Sequence, residues 1–299
     1  MAKARATTVQ RIRRHAGDAV FLRVAGPDGP RNRARIHTTP GPRWFAPDRP
    51  VRRVHGDASM FVGGLAALLL QSLHPLAMAA VAAHSGYRGD PWGRLNRTST
   101  FLAVTTFGTS ADAEAAVALV REVHARVRGR TADGVPYRAD DPELLTWVHI
   151  AEADCFLRAH QRYGRRPLDS AGCDAYLADT ARVARALGAE VPPENVRELA
   201  LRMARYRPGL RPTAASRDTT LFLLSEPPLP GAARLPYALL AAAAVELLPP
   251  WARSAVAEDA PAVARIPPPV ARAGGHAVTR AIRWALPPAP PAAPSPLPG

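Results

Sequence analysis

Three residues on one predicted helix have the types and the spacing to do chemistry. In VREVHARVR, Arg121, His124 and Arg128 fall 3 and 4 residues apart. On a helix over 110–128 they share one face, with Val117 one turn before them and Val120, Val123 and Val127 on the adjoining strip. A neutral imidazole can ligate a metal or carry a proton, and a guanidinium suits a carboxylate or a phosphate. A solvated basic face with an incidental histidine is the plain alternative.

A second set follows Pro91. Arg94, Arg97, Thr98 and Phe101 fall at spacings 3, 1 and 3 on a helix whose continuation, LAVTTF, is apolar. Two helices that each present arginines beside an apolar core can hold a buried dianion, for which haem propionates, a phosphate or a fatty carboxylate are the candidates. The other histidines are weaker. His74 lies inside the longest apolar run and reads first as a hydrogen-bonded core residue. His84 stands at a helix end, and His149 shares a helical face with Glu152 and Cys155, where Glu152 or Asp154 can orient it. No H-x-x-x-H pair and no E-x-x-H occurs, so a dedicated zinc or di-iron site is not expected. A G-x-S-x-G elbow and the glycine-rich phosphate loops are also missing.

The elements that must position these residues are helices. Helical periodicity dominates and alternating strand patterns are scarce. A short amphipathic helix is expected over 8–24, then a Gly/Pro/Arg-rich arm to about 50. Asp57 reads as the cap of an apolar helix broken at Pro75. Pro91 starts a helix that Gly108 closes, Thr109 or Ser110 caps the next, and Gly129 stops it. A turn-rich loop at 130–140 leads to a long helix from Asp141-Pro142 to Tyr163. Further helices are expected over 170–187, 193–206, 214–225 and 234–248. The expected fold is all-α: a helical domain over 51–255, a basic helix and arm over 1–50, and an Ala/Pro-rich tail over 256–299 that does not pack.

Composition bounds the rest. The chain has 299 residues, 47% of them hydrophobic, which suffices for a sizeable core and excludes wholesale disorder. Two cysteines, Cys155 and Cys173, cannot build a disulfide scaffold. The net charge is +14, of which +9 lies in residues 1–60, so the body is only mildly basic. The arm over 1–53 is a candidate contact for an anionic membrane surface, and no specific nucleic-acid partner is expected. Arg13-Arg14 is followed by a stretch holding Asp18 and Arg23, too polar for a signal peptide, so a cytoplasmic location is expected. Residues 61–83 lack Asp, Glu, Lys and Arg, but Gln71, His74 and Pro75 at the centre favour a buried broken helix over a membrane span.

In combination, LLLQSLHPLAMAAVAAHS, DPWGRLNRTSTFLAVTTFG and VREVHARVRG, followed by DPELLTWVH, resemble the MpaB-type oxygenase and latex-clearing protein (rubber oxygenase) family over about residues 50–255. The resemblance implies an all-helical fold around a non-covalent haem b, and dioxygen-dependent cleavage of carbon–carbon double bonds in isoprenoid chains. It implies His124 as the axial iron ligand, with Arg121, Arg128 and Arg94 holding the cofactor and Thr98 in the pocket. Arg97 stands where the rubber oxygenases carry a lysine able to approach the iron. Arginine stays protonated, so Arg97 and Thr98 are expected to steer dioxygen and not to ligate. Whether His74, His84, His149 or no residue lies on the distal side is left open by the sequence. The expected substrate is a small hydrophobic isoprenoid- or alkene-like molecule. A non-catalytic carrier of a lipid or isoprenoid with an arginine-clamped anionic head is the alternative.

Overall fold

The computed structural model describes residues 2–86, 88–258 and 262–286. Among them are fourteen α-helices and a single two-stranded hairpin. The centre is the pair α4 (Met60–Gln71) and α8 (Pro142–Tyr163), which pack along their lengths. α4 has no charged residue and buries Val62, Leu65, Ala66, Leu69 and Leu70; α8 answers with Trp147, Ile150, Ala151 and Phe156. Both flanks of the pair are covered, which is why α4 reads as apolar on nearly every face. Gly63 is the point of closest approach: a Cβ there would lie 2.9 Å from Phe156 Cδ1 and 3.1 Å from the Cys155 carbonyl oxygen. Gly63→Ala is therefore expected to destabilise by about 1–3 kcal/mol, read as a lowered urea midpoint at unchanged slope. An unchanged midpoint would mean that α4 can slide away without loss.

The apolar run breaks where the sequence places the break. α4 ends at Gln71 and α5 (Pro75–His84) leaves at 106° to it. His74 Nδ1 accepts the Ala77 amide at 3.5 Å and so caps α5. Among the described residues no single helix is long and apolar enough to cross a membrane, and the bent pair α4–α5 passes that test only jointly. The cap of α4 is Ser59; Asp57 instead accepts the Ser59 amide and binds Arg283, in the C-terminal helix, at 2.9 Å.

Several helices begin and end as their cap residues dictate. α6 (Pro91–Phe107) closes at Gly108, α7 (Ser110–Arg126) is capped by Thr109, and α8 by Asp141. α9 (Ser170–Leu187) starts at Asp169, whose carboxylate takes the Gly172 amide, and stops at Gly188 with φ 104°. α10 (Val196–Tyr206) and α11 (Ala214–Ser225) follow, capped by Asn195 and Thr213.

Three expectations need correction. The arm before residue 50 is helical: α1 (Ala2–Ala25) leads to α2 (Gly29–Thr38) and α3 (Pro50–His55). Pro30 and Pro50 sit in the first turns of α2 and α3, where the missing amide costs nothing. Arg43 holds the intervening loop by bonding the carbonyls of Ile36, His37, Thr39 and Phe107. Second, α7 ends at Arg126, so Arg128 lies in a strand. β1 (Arg128–Arg130) pairs antiparallel with β2 (Pro136–Arg138), Gly129 facing Tyr137, inside the stretch expected to be a loop.

Third, the chain continues to pack beyond 254. α12 (Gly231–Leu247) is followed by α13 (Pro250–Ala257) and by α14 (Pro268–Ala285), which lies against α12 and α1. α14 buries Ala271, Gly274, Gly275 and Val278, a helical stripe of mostly small residues. These let it approach Leu239, Ala243 and Tyr163, which a Cβ at Gly274 or Gly275 would strike at 2.6–2.9 Å. Pro267, Pro268 and Pro269 start α14 rather than preventing it. The remainder of the expected tail, 287–299, lies outside the described residues.

Candidate functional site

The two arginine-bearing helices form a hairpin. α6 and α7 pack together across the Gly108–Thr109 link, and the β1–β2 hairpin that follows α7 packs on α5, which precedes α6. α7 thus runs back along α6, and with about 1.5 Å per residue on each helix His124 comes level with Arg94.

His124 faces inward. Ala113 and Val117 are buried on the same stripe of α7, and His124 is half-buried at its end. Its Nδ1 is sealed from solvent without a hydrogen-bond partner. Burial lowers the pKa of the ring and Asp140 partly opposes this, so the imidazole is mainly neutral at neutral pH. The valine strip is less uniform than the spacing suggests. Val120 is half-buried, whereas Val123 is 47% exposed and Leu119 61%.

The arginines flank this histidine without entering the core. Arg121 is exposed and donates to the Ala186 carbonyl at 3.1 Å, which ties α7 to the end of α9. Arg128 donates to the Ala125 carbonyl at 2.6 Å from its strand position. Arg121 forms no ion pair among the described residues, whereas Arg128 adds to Arg138 in lowering the pKa of Asp140. Arg94 is half-buried and donates to Ser85 Oγ at 3.2 Å. Arg97 and Thr98 are exposed, and Arg97 is 3.4 Å from the Asp90 carboxylate that caps their helix. Its place at the helix start beside Asp90 leaves Arg97 at the surface.

The candidate distal histidines separate in space. His74 packs against Trp147 and Tyr206 while capping α5, which is a structural role. His84 stands beside the hairpin, its Nε2 3.2 Å from the Tyr137 hydroxyl. His149, on the face of α8 turned to α9, has a buried Nε2 without a partner and a pKa pushed down to about 4 by burial, then by Arg185. Asp154 does not orient it; that carboxylate takes Arg158 at 2.7 Å. Glu152, one turn beyond His149, has its pKa pushed up to about 7 by burial alone.

Another titratable residue in this region comes from α3. His55 Nδ1 is 2.8 Å from Thr106 Oγ1 on α6, and its Nε2 is 3.4 Å from the Tyr176 hydroxyl on α9. It stands edge-on to Phe156, and burial lowers its pKa to about 3. No local motif marks His55. Its partners lie 51 and 121 residues away in sequence, so only the assembled fold reveals it. Among the described residues no three His, Cys, Asp or Glu side chains converge in a metal-binding group.

Comparisons with known proteins bear on this arrangement. The family model for the ER-bound oxygenase mpaB/B'/Rubber oxygenase catalytic domain matches residues 52–285. The uncharacterized proteins Mb2261 of Mycobacterium bovis and Rv2237 of Mycobacterium tuberculosis are each 34% identical over 110 residues, 36% of this chain. The matched part covers 42% of each of those relatives. No solved structure matches the chain. The family match takes in α4 to α14, and with them the α6–α7 hairpin, the α8 face and the C-terminal helix whose packing the sequence concealed; the chain belongs to the ER-bound oxygenase mpaB/B'/rubber oxygenase catalytic-domain family.

Proposed function

We propose that the protein is a haem b-dependent oxygenase that uses dioxygen on a small hydrophobic, isoprenoid- or alkene-like substrate. The observation that carries the reading is His124: a mainly neutral imidazole on an inward stripe, with a sealed ring nitrogen that no protein group satisfies, inside a catalytic domain of the oxygenase family. A lone imidazole, with no cluster of three His, Cys, Asp or Glu side chains among the described residues, would fit haem iron, whose other ligands the porphyrin would supply. When bound, the haem would supply the iron at which dioxygen is activated.

The chain's own residues hold and shape that site. His124 would hold the iron through its imidazole. Arg121 and Arg128, now on backbone carbonyls, and Arg94 beside Ser85 would turn their charge to the propionates. Arg97 and Thr98 stand at the exposed start of α6, where a guanidinium and a hydroxyl can donate hydrogen bonds to dioxygen or substrate. Asp90 fixes the Arg97 guanidinium there. The exposed Arg11, Arg13 and Arg14 of α1, next to exposed Val9 and Ile12, support an anionic membrane surface as the contact for residues 1–53.

The test is an absorption spectrum of the full chain purified from haem-replete cells, as isolated and after dithionite with carbon monoxide. A Soret band that shifts on reduction with carbon monoxide is the expected result. A colourless protein that also refuses added hemin would overturn the reading and favour the lipid carrier.

A further inference from the structure

The outer turns of α1 stand clear of the helical body. Residues 8–15 are exposed one after another, so no face of the helix is packed there, and burial begins only at Ala16 and Gly17. At about 1.5 Å per residue this leaves a free rod of about 12 Å. A Cβ at Gly17 would strike the Ala285 carbonyl, so the end of α14 abuts α1 and brings Trp284, 45% exposed, beside the projecting turns. Val9 and Ile12 are 52% and 57% exposed. Both are β-branched residues of modest helix propensity, so these turns draw little stability from propensity or from the core.

The side chains are sorted around the rod. Val9, Ile12 and Ala16, at spacings 3 and 4, make one apolar stripe. Arg11 and His15, one turn apart, border it on one side and Arg13 on the other. Arg11, Ile12, His15 and Ala16 line an open groove of about 600 Å³, a size that takes a small ligand. Lys3, Arg5, Arg11, Arg13 and Arg14 precede the first acidic residue, Asp18. Among the described residues Arg11, Arg13 and Arg14 form no ion pair. The groove is thus matched to an anion on one side and to an apolar phase on the other. A nucleic acid would leave Val9 and Ile12 in water, whereas an anionic phospholipid supplies both halves.

We infer that this groove seats an anionic phospholipid of a bilayer, its phosphate on Arg11 and His15 and its acyl chains against Ile12 and Ala16, with Trp284 at headgroup level. This rests on the reading of residues 1–53 as an anionic-surface contact and gives that contact a site; it is independent of the haem. A guanidinium donates to two phosphate oxygens side by side, and an imidazole N–H adds a further donor. A helix lying in the interface buries its apolar face about 5–10 Å deep, and the free length of α1 permits that approach. An indole suits the headgroup level because its ring is apolar and its N–H finds water or phosphate.

The test is co-sedimentation of the full chain with vesicles of phosphatidylcholine alone and of phosphatidylcholine with about a third phosphatidylglycerol. The mixed vesicles are expected to bind at least about tenfold more tightly. Arg11→Gln and Ile12→Ser are each expected to weaken that binding about fivefold, the first through lost charge and the second through lost apolar burial. Trp284→Ala, on a different helix, weakens it as well. Arg197→Gln, the same charge change at an exposed site on α10, is the control and stays within about twofold. All these side chains are exposed, so circular dichroism should show every variant folded. Native-like binding by both Arg11→Gln and Ile12→Ser overturns the seat and leaves the broader surface contact of residues 1–53. No binding of the native chain to mixed vesicles overturns both. Binding that Ile12→Ser leaves intact and that a DNA duplex equals also overturns the seat, since the turns would then serve polyanions in general.

Discussion

His124→Ala is expected to abolish hemin retention. The imidazole is the one ring nitrogen ligand on the α6–α7 hairpin, and alanine removes the group that would hold the iron. Loss of an outer-shell partner alone typically costs about 10–100-fold in metal affinity, so loss of the ligand itself should exceed that. The measurement is a hemin titration followed at the Soret band, with His276→Ala as control, since His276 is exposed on α14 and packs against Tyr163. A Soret band of the same position and intensity in folded His124→Ala would remove His124 from the site. Because the ring is half-buried and unsatisfied, the variant itself should fold: truncation deletes a desolvated polar group along with its few contacts.

How much of this is legible in the sequence depends on the range of the interaction concerned. Thr109, Asp141 and Asp169 are capping residues that act within three positions, and α7, α8 and α9 start where these residues predict. Gly108 and Gly188 end their helices for equally local reasons. The neighbourhood of α6 and α7 also follows locally, because the two-residue Gly108–Thr109 link brings the two helices together. Prolines mislead where position matters more than presence: Pro30, Pro50 and Pro268 start helices, although a count of prolines suggests an arm and a tail. The strip chosen on α7 is off by a fraction of a turn, since Val123 faces outward while Val117 and His124 face in. α9 packing on α7 decides that rotation, and no pattern internal to α7 contains it. His55 is the clearest limit. Its role exists only where α3, α6 and α9 meet, and the residues that define it are scattered over more than a hundred positions.

The protein should lose stability as pH falls from 6.5 to 4.5, and Glu152→Gln should steepen that loss. His55 and His149 have pKa values near 3 and 4 in the folded state against an ordinary 6.5. Between those limits the unfolded chain binds protons that the folded chain does not. Their stabilisation is therefore complete above 6.5 and drains away as pH falls through the folded values. At about 1.4 kcal/mol per pH unit and group, the pair removes about 5 kcal/mol across this window. Glu152 acts in the opposite sense. Its folded pKa of about 7 exceeds the ordinary 4.5, so the folded chain takes up a proton first and gains about 3 kcal/mol as pH drops over the same range. The native protein thus shows a net loss of about 2–3 kcal/mol from these groups, and Glu152→Gln, which cannot titrate, should show about 5. His149→Phe should halve the histidine contribution. His37, His74, His124 and His160 are lowered as well and add slope of the same sign in every variant, so the differences between variants carry the argument. Urea midpoints at pH 6.5 and 4.5 measure it. Parallel profiles for the native chain and Glu152→Gln would mean that water or a solvent ion reaches Glu152 and keeps its carboxyl near the ordinary value.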